Sequence, residues 1–483
     1  MKYLSIAVLL LSRMAVGQAA LPWGQATSIP YLASQSGVAL FYVANYSLKG
    51  VHTDYDLARQ DADAYLAAHP TTPTYVVLNP YEAQTCDDVP LPVVHTGTNT
   101  AATVSIIGYG SGLSNITKKG GCGSAATTLV LNDLASAGLV HNAWFQGFTV
   151  DANHIDGTPC GFYGMSGGTF FDIACGNALP NADHEIEFGN ANAPVAGVDT
   201  LLTIYNLKAF DNVGVGKGAL LTPVWNGSAL AGATLVSGGS KQYTGQYARM
   251  QIIGPGLSSC SSIPTLTPIV AHTSSAAFAN LPTTTYGYIT GATVTNPGNC
   301  TDTADLYILV QDGVPVTSGM KFSNMTLSHG WNFETTASAK YGEWWISPSG
   351  NNTVIGEHIW TNQTIDIAEF AAADKHVNAY FDGPGQFGAA MSGHPGSFMN
   401  SIFSWDSTTY LGSAGYTFLG AAAATSGWSI QNSQCTDSIA HFVPITTAQG
   451  VLAATATPPA GVILNDIETC DGSLVVDWPT QVN

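Results

Sequence analysis

The segment "FQGFTVD", residues 145–151, has a pattern that recurs along the chain. An apolar residue and one further residue precede a Gly or Asn, and apolar and polar residues then alternate. Gly and Asn tolerate a left-handed backbone, so they can turn the chain between two short strands. Alternate residues of the strands then point into a core. The other copies are "IYNLKAF" (204–210), "FSNMTLS" (322–328), "VIGEHIW" (354–360) and "FMNSIFS" (398–404).

Short strands with a corner residue, repeated over hundreds of residues, predict a solenoid in which each coil buries its apolar face against the next. The composition agrees, because only 9% of the 483 residues are charged while 52 are Gly and 10% are aromatic. Such a chain folds mainly through backbone hydrogen bonds and apolar stacking. The predicted fold class is all-β, a parallel β-helix with coils of irregular length.

One helix is predicted before the first coils, in "GVHTDYDLARQDADAYLAAHP", residues 50–70. Thr53 can cap it together with Asp56, acidic residues occupy its first turns, and Pro70 ends it. We expect this helix to cap the N-terminal end of the solenoid.

Two related segments, "GATLVSGGS" (232–240) and "GATVTNPGN" (291–299), interrupt the pattern. They predict a small inserted β module, the alternative being two irregular coils. The expected organisation is a signal peptide at 1–19, the cap and first coils at 20–217, the module at 218–316, and further coils with a C-terminal cap at 317–483.

Four segments resemble the pectate-lyase-like right-handed parallel β-helix superfamily, which includes phage tailspike-like proteins. They are "GVHTDYDLARQDADAYLAA" (50–68), "TYVVLNPYEA" (74–83), "VSIIGYGSG" (104–112) and "FQGFTVDAN" (145–153). The chain lacks the acidic glycine motif with which the superfamily begins its helix, and "NPYEA" replaces a glycine–tyrosine ending. The resemblance covers about residues 45–215 and 318–440 and implies a right-handed coil. It implies little about chemistry.

The N-terminus reads as a secretory signal, with Lys2, an apolar run from Tyr3 to Leu11 and a cleavage site after Ala19. The run is too short to span a bilayer, so membrane insertion is not expected. The predicted location is therefore outside the cell or on a cell or virion surface.

The formal net charge is −19, and removal of the signal would take away two cations and no acid. This charge argues against nucleic acid or an anionic membrane as partner.

Eight cysteines in an exported chain predict disulfides rather than a metal site, because no CxxC motif occurs. The simplest connectivity joins neighbours: Cys86–Cys122, Cys160–Cys175, Cys260–Cys300 and Cys435–Cys470.

Asp151, at the exit of the first quoted strand, is interpreted as a turn residue that accepts backbone hydrogen bonds. With Asn153 and Asp156 it could alternatively hold calcium, although the spacing of a full calcium loop is missing. No other cofactor is predicted. "GMSGG" (164–168) matches the nucleophile motif of hydrolases, but a strand-like segment follows it where that motif needs a helix.

Residues 331–416 are rich in aromatic residues and carboxylates. Glycoside hydrolysis needs two carboxyl groups about 5 to 10 Å apart, and neighbouring coils of a β-helix are about 4.8 Å apart. The predicted catalytic residues are therefore Glu343, Glu357 and Asp382, which occupy successive strand-like segments. The predicted substrate-binding residues are Trp344, Trp345, Trp360, Tyr380 and Trp405.

The sequence thus favours a protein that binds a polysaccharide and cleaves it by carboxylate acid–base hydrolysis. A lyase fits less well, because a lyase commonly uses a cationic base and only Lys340 and Lys375 are near. The alternative is a non-catalytic tail, receptor-binding or adhesin protein. A homotrimer stays open, since no coiled-coil heptads occur.

Overall fold

A computed structural model describes most of the coils in a set of separate ranges. These are residues 29–46, 54–86, 94–95, 101–131, 140–179, 182–189, 199–210, 219–237, 243–244, 248–253, 259–272, 286–304, 306–312, 316–323, 325–336, 339–347, 352–360, 365–371, 374–382, 387–391, 396–404, 417–420, 429–431, 434–435, 441–444, 463–465, 467–469 and 474–475. The predicted signal peptide, Thr53, Trp405 and Cys470 lie outside them.

The first part of the chain contains two α-helices, a 3₁₀ turn at Val43–Asn45 and fifteen strands. In chain order the helices and strands are α1 Ile29–Ala33, β1 Ala39–Tyr42, α2 Asp54–Ala68, β2 Thr74–Val77, β3 Glu82–Thr85, β4 Val94–His95, β5 Ala101–Ala102, β6 Ser105–Ile107, β7 Asn115–Lys118, β8 Thr127–Leu131, β9 Val140–His141, β10 Trp144–Asp151, β11 Thr158–Phe162, β12 Met165–Ser166, β13 Thr169–Gly176, β14 Ala182–Phe188 and β15 Asp199–Phe210.

Nine strands follow in the middle of the chain. They are β16 Leu220–Asn226, β17 Ala229–Ser237, β18 Tyr243–Thr244, β19 Ala248–Ile253, β20 Cys260–Ser262, β21 Thr265–His272, β22 Tyr286–Asn296, β23 Asn299–Cys300 and β24 Tyr307–Asp312.

The last part consists of strands only. They are β25 Val316–Ser323, β26 Met325–Thr335, β27 Ala339–Ser347, β28 Thr353–Ile355, β29 His358–Trp360, β30 Ile365–Ala371, β31 Lys375–Val377, β32 Tyr380–Asp382, β33 Phe387–Met391, β34 Ser397–Met399, β35 Ile402–Ser404, β36 Thr417–Gly420, β37 Ser429–Gln431, β38 Gln434–Cys435, β39 His441–Pro444, β40 Ile463–Asn465, β41 Ile467–Thr469 and β42 Leu474–Val475.

Two long sheets, made almost entirely of parallel pairs, run along the molecule. Sheet I has 24 strands, and sheet II has nine in the order β39-β36-β33-β30-β27-β25-β14-β11-β8. The chain alternates between them, and each later coil adds two strands to sheet I, such as β28 and β29, and one to sheet II, such as β30. This is the predicted parallel β-helix, and the fold class is confirmed.

Sheet I bends at a corner where one residue per coil has a left-handed backbone. Asn206, Asn332, Asn378 and Asn400 have φ between 50° and 56°, and Gly356 has φ 76°. Gly147 and Asp172 hold the same place in earlier coils, with φ 67° and 57°. The corner role of Gly or Asn is therefore confirmed for the segments at 145, 204, 354 and 398.

The alignment of the segment at 322–328 is corrected by the register of sheet I. Trp331 pairs with Tyr205 on one side and Ile355 on the other. The corner residue of that coil is therefore Asn332, and Asn324 lies outside the described residues.

The core fills the space between the sheets with rows of side chains in register. One row contains Phe145, Phe170, Ile204, Val354, His376 and Phe398. Phe170 is fully buried, and its ring centroid lies 5.2 Å from that of Phe145, 4.7 Å from Phe162 and 4.9 Å from Phe188. Each coil is therefore held by aromatic packing to the coils beside it.

Helix α2 packs against the first coil. Tyr55, Ala58, Ala62 and Leu66 lie on one face at helical spacing and join the main core. Asp56 is also buried, where its carboxylate accepts hydrogen bonds from Thr85 Oγ1 and Cys86 N.

Strands β16 to β24 pair antiparallel and have an apolar core of their own, which includes Leu221, Leu266, Ile289 and Ile308. On either side of them, β14 pairs directly with β25 and β15 with β26 in the parallel sheets. The domain boundaries given above stay a prediction.

Three of the four expected disulfides are confirmed: Cys86–Cys122, Cys160–Cys175 and Cys260–Cys300. Asp151 is the turn residue that its position indicates, because its Oδ1 accepts hydrogen bonds from Asn153 N and Asn177 Nδ2 at 2.7 and 2.9 Å. A strand, β13, follows "GMSGG", so this segment is not a strand–helix nucleophile turn.

The aromatic core predicts unequal effects for two adjacent phenylalanines. Phe170→Ala should lower the free energy of unfolding by about 3–5 kcal/mol. Phe171→Ala, on the outward side of the same strand, should cost less than half as much. Denaturant midpoints measure both, and equal losses would contradict the inward and outward assignment.

Candidate functional site

The predicted site residues fall into three places. Glu343, Glu357 and Trp345 lie inside the coil, and Trp344 lies on the outer side of sheet II. Tyr380 lies on the outer side of sheet I. For Trp360 and Asp382 only the backbone position is described, at the ends of β29 and β32.

Glu343 and Glu357 meet in the interior, on opposite sheets of the coil. Both carboxyls are buried, with residue exposures of 0% and 1%. His376 Nδ1 lies within hydrogen-bond distance of both oxygens of Glu357, at 2.8 and 2.9 Å, and Trp345 Nε1 donates to Glu343 Oε2 at 3.0 Å. We call Glu343, Glu357, His376 and Trp345 the interior cluster.

Glu357 stands in a core row otherwise formed by apolar residues such as Ile173, Leu207 and Phe333. Burial of a carboxylate is costly unless it is paired. His376, one coil further on and fully buried, supplies that pairing.

Burial raises the pKa of Glu343 well above its ordinary value, and the neighbouring charge of Glu357 and a hydrogen bond to it raise the pKa further. The Trp345 hydrogen bond and the nearby His376 lower the pKa of Glu343, but by less than burial and the charge of Glu357 raise it. Glu343 therefore holds its proton to a higher pH than an exposed glutamate does. A carboxyl with a raised pKa beside a second carboxyl that contacts an imidazole is a combination that can transfer protons.

The interior cluster is closed to solvent, so a polysaccharide cannot reach these carboxyls without opening the coil. Trp345 is likewise 1% exposed, and its ring stacks on Phe322 at 4.0 Å. A catalytic role for Glu343, Glu357 and Asp382 stays a prediction.

Trp344 belongs to a polar group on the outer side of sheet II. Lys321 Nζ lies 5.4 Å from the centroid of the Trp344 ring and donates to Glu187 Oε1 at 2.8 Å. Tyr163 Oη donates to the other oxygen of Glu187 at 2.8 Å. These groups are mostly buried and connect four successive coils, those of β11, β14, β25 and β27.

The outer side of sheet I carries a row of partly exposed aromatic rings, Phe171, Tyr205 and Trp331, which we call the outer aromatic row. Register places the three residues directly opposite one another in successive coils. Ring centroids are 6.2 Å apart between Phe171 and Tyr205 and 6.4 Å apart between Tyr205 and Trp331. Trp331 is 37% exposed, so part of its side chain lies at the surface of the protein.

Beside this row, the corner residues form a hydrogen-bonded ladder. Asn332 Nδ2 donates to Asn206 Oδ1 at 2.7 Å, and Asn206 Nδ2 donates to Asp172 Oδ1 at 2.7 Å. At the end of this ladder, the carboxylate of Asp172 also accepts hydrogen bonds from Ser111 N and Ser111 Oγ. We call Asp172, Asn206 and Asn332 the corner ladder.

Past the corner, a second row of outward side chains follows. Lys208 Nζ pairs with Glu334 Oε1 at 3.0 Å, and the His358 and Tyr380 ring centroids are 5.1 Å apart. The outer aromatic row, the corner ladder, and the Lys208–Glu334 and His358–Tyr380 pairs thus lie side by side along the corner. We call the surface that these residues form the outer face.

Sequence reasoning named Tyr380 but missed Phe171, Tyr205, Asn206 and Asn332. The sequence does contain a pattern that could reveal such rows. Corner residues recur every 22 residues at Gly356, Asn378 and Asn400, and the residue just before each corner points outward. The longer coils before Gly356 and the antiparallel strands break that period, which hides the row.

No group of three or more His, Cys, Asp or Glu side chains in the described ranges could hold a metal ion. Asp156, considered above as a calcium ligand, instead pairs with Lys118 at 3.1 Å and accepts from Ala125 N. Neither described α-helix could cross a bilayer, since the longer one has 15 residues and a span needs about 20.

Comparison with known proteins finds likeness in structure alone. No protein-family profile and no curated protein sequence matches the chain. The structure is similar to the mannuronan C-5 epimerase AlgE4 A-module of Azotobacter vinelandii, at TM-score 0.41 and 10% identity over 89% of this chain and 95% of that one.

Two phage proteins show the same degree of likeness. ORF18 of Geobacillus virus E2 gives TM-score 0.40 and 10% identity over 89% of this chain and 62% of that one. The Dettilon tailspike protein gives TM-score 0.41 and 10% identity over 88% of this chain and 68% of that one.

The sheets of the chain themselves show a parallel β-helix, which is the fold that the sequence resemblance implies.

The raised pKa of Glu343 predicts a loss of stability at high pH. Its proton stabilises the folded state fully below the unfolded pKa of about 4.3, and this contribution disappears as pH rises through the higher folded pKa. Glu343→Gln mimics the protonated acid and does not titrate. The free energy of unfolding of the wild type should therefore fall relative to that of Glu343→Gln between pH 4 and pH 9.

Glu82→Gln, at an exposed position, controls for the loss of one negative charge. Parallel stability curves for wild type and Glu343→Gln would contradict a protonated Glu343.

Proposed function

We propose that this protein binds a polysaccharide along the outer face of sheet I. The observation that carries the proposal is the outer aromatic row, in which Trp331 is 37% exposed and stacked in register with Tyr205. Natural proteins seldom expose aligned aromatic rings without a ligand or partner for them. Rings one coil apart present flat apolar surface at a regular interval, which suits a chain of repeating units.

The polar groups beside the rings support the same ligand class. Sugars combine apolar C–H faces with hydroxyl groups that donate and accept hydrogen bonds. Amides such as Asn332 and Asn378, both exposed, do the same. A ligand lying along the corner would place its C–H faces on the aromatic row and its hydroxyls on the amides.

The charge of the chain limits the partner. A formal charge of −19 repels nucleic acid and anionic membranes. A polysaccharide is therefore favoured over these, and the three disulfides fit a secreted or virion-surface location. The signal peptide and a homotrimeric assembly remain part of the proposal.

Cleavage of the bound chain by Glu343, Glu357 and Asp382 is the further step that the sequence predicts. Its support is that Glu343 and Glu357 lie next to each other and that the pKa of Glu343 is raised. Its difficulty is their burial. Binding without cleavage, as in a receptor-binding or adhesin protein, is favoured by the exposure of the outer face and the closure of the interior cluster.

Trp331→Ala tests the binding proposal. Truncation of a central aromatic contact commonly costs 2 kcal/mol or more, so affinity for the bound polysaccharide should fall by about tenfold or more. The measurement is binding to immobilised neutral and acidic polysaccharides. Tyr288→Ala is the matched control, because Tyr288 is also 37% exposed but lies on β22. Equal affinities of both variants and the wild type would overturn the proposal.

Release of reducing ends tests the cleavage step, with wild type and Glu357→Gln compared on the same polysaccharides. Release that disappears in a folded Glu357→Gln variant would support the predicted residues. Release that survives would place the chemistry elsewhere. No release with retained binding would make this a recognition protein.

A further inference from the structure

The corner of sheet I has an interruption beside the outer aromatic row. Along the corner, side chains that can form hydrogen bonds stand at Asp172, Asn206, Asn332, Asn378 and Asn400. Between Asn332 and Asn378 the coil places Gly356, which has no side chain. The corner ladder therefore stops at Asn332.

The strand register places Gly356 between Asn332 and Asn378 in the row of corner residues. Trp331 pairs with Ile355 and Glu334 with His358, so Gly356 lies opposite Asn332. On the other side Ile355 pairs with Val377 and His358 with Tyr380, so Gly356 also lies opposite Asn378. The two asparagines are thus two coils apart, about 9–10 Å, with an open position between them that we call the Gly356 notch.

The notch has room for more than a hydrogen atom. A Cβ placed on Gly356 would have Asn332 N, at 4.0 Å, as its nearest neighbour. Steric crowding therefore does not explain glycine here. The left-handed backbone at position 356 does not explain the glycine either, since asparagine adopts the same conformation at four other corner positions.

The ladder also has a direction. Each amide uses Nδ2 to donate toward the preceding coil, from Asn332 to Asn206 and from Asn206 to Asp172. The Oδ1 of Asn332 is thereby turned toward the coil of Gly356. With the same direction in Asn378, its Nδ2 would enter the notch from the other side. The acceptor and the donor then face each other about 7–8 Å apart, because two coils span about 9–10 Å and each amide covers about 2 Å of it. One hydroxyl with hydrogen bonds of about 2.8 Å on both sides cannot span that distance, whereas two adjacent hydroxyls of one sugar ring can.

We propose that the Gly356 notch is a subsite for two adjacent hydroxyls of an uncharged sugar, one donating to Asn332 Oδ1 and the other accepting from Asn378 Nδ2. The subsite rests on the proposed function, because the ring that carries the hydroxyls would lie on Trp331. Two residues past the corner, His358 and Tyr380 pair in the coils of Gly356 and Asn378, with their ring centroids 5.1 Å apart.

The charges of the outer face support an uncharged ligand. From Phe171 to Tyr380 the charged side chains described on this face are Asp172, Lys208, Glu334 and Lys375, two acids and two cations. Lys208 is already paired with Glu334. The negative charges of an acidic polysaccharide would meet few cations on the outer face, and the net negative charge of the protein would repel them.

Gly356→Asn tests the subsite, because the introduced side chain would fill the notch and join Asn332 to Asn378. Since asparagine tolerates this backbone, the thermal midpoint should equal or exceed that of the wild type. Affinity for the best-bound neutral polysaccharide, from a panel of amylose, galactomannan, xyloglucan and mixed-linkage β-glucan, should fall at least fivefold.

Gly356→Ala is the matched control. It carries the backbone strain of a side chain at φ 76° but leaves the amide gap open, so its affinity should stay within about twofold of the wild type, since no ligand contact is lost. Equal weakening by both variants, or no weakening by Gly356→Asn, would overturn the subsite. If Gly356→Asn fails to fold, Asn378→Ala replaces it and should weaken binding by a similar factor.

Trp331→Ala separates this inference from the proposed function. Binding that Trp331→Ala abolishes and Gly356→Asn leaves intact would remove the subsite and keep the outer face as the binding surface. Binding that neither variant changes would remove both. Stronger binding to alginate or polygalacturonate than to every neutral polysaccharide would overturn the uncharged ligand class.

Discussion

Backbone hydrogen bonding between successive coils is the constraint on which the rest of this structure depends. Every strand of sheets I and II must stay in register with the same strand one coil away. A register shift by one residue would move each inward side chain to the outside. The single left-handed residue at the corner keeps the two parts of sheet I in step, and Asn or Gly occupies it in most coils. Inward and outward rows follow directly from this repetition.

The interior rows tolerate polar residues only where neighbouring coils supply partners. Glu357 occupies a row of mostly apolar residues and contacts His376 from the following coil, while Glu343 has a raised pKa and accepts a hydrogen bond from Trp345. Removal of one member would leave a buried charge without a partner, which is far costlier than the loss of one contact. The same stacking that holds apolar rings together thus also binds successive coils through a buried polar cluster.

On the outside, repetition produces a surface that no single coil contains. Phe171, Tyr205 and Trp331 come from coils separated by long stretches of sequence, including all the antiparallel strands between β15 and β25. Their alignment follows from the register of β13, β15 and β26. Aromatic rows, amide rows and the gap at Gly356 are arranged at the spacing of the coils, which suits an extended ligand better than a small one.

The sequence by itself determined the strand alternation, the Asn and Gly corners, helix α2 and the pairing of six cysteines, because these depend on local backbone preference and short loops. Only the tertiary structure decided that Glu343 and Glu357 meet inside the coil and that Trp331 faces outward. It also showed that the corner residue predicted in the 322–328 segment is Asn332 instead. The physical reason is that side-chain direction in a strand reverses with every residue, so it depends on the register between coils, and partners from distant coils set that register.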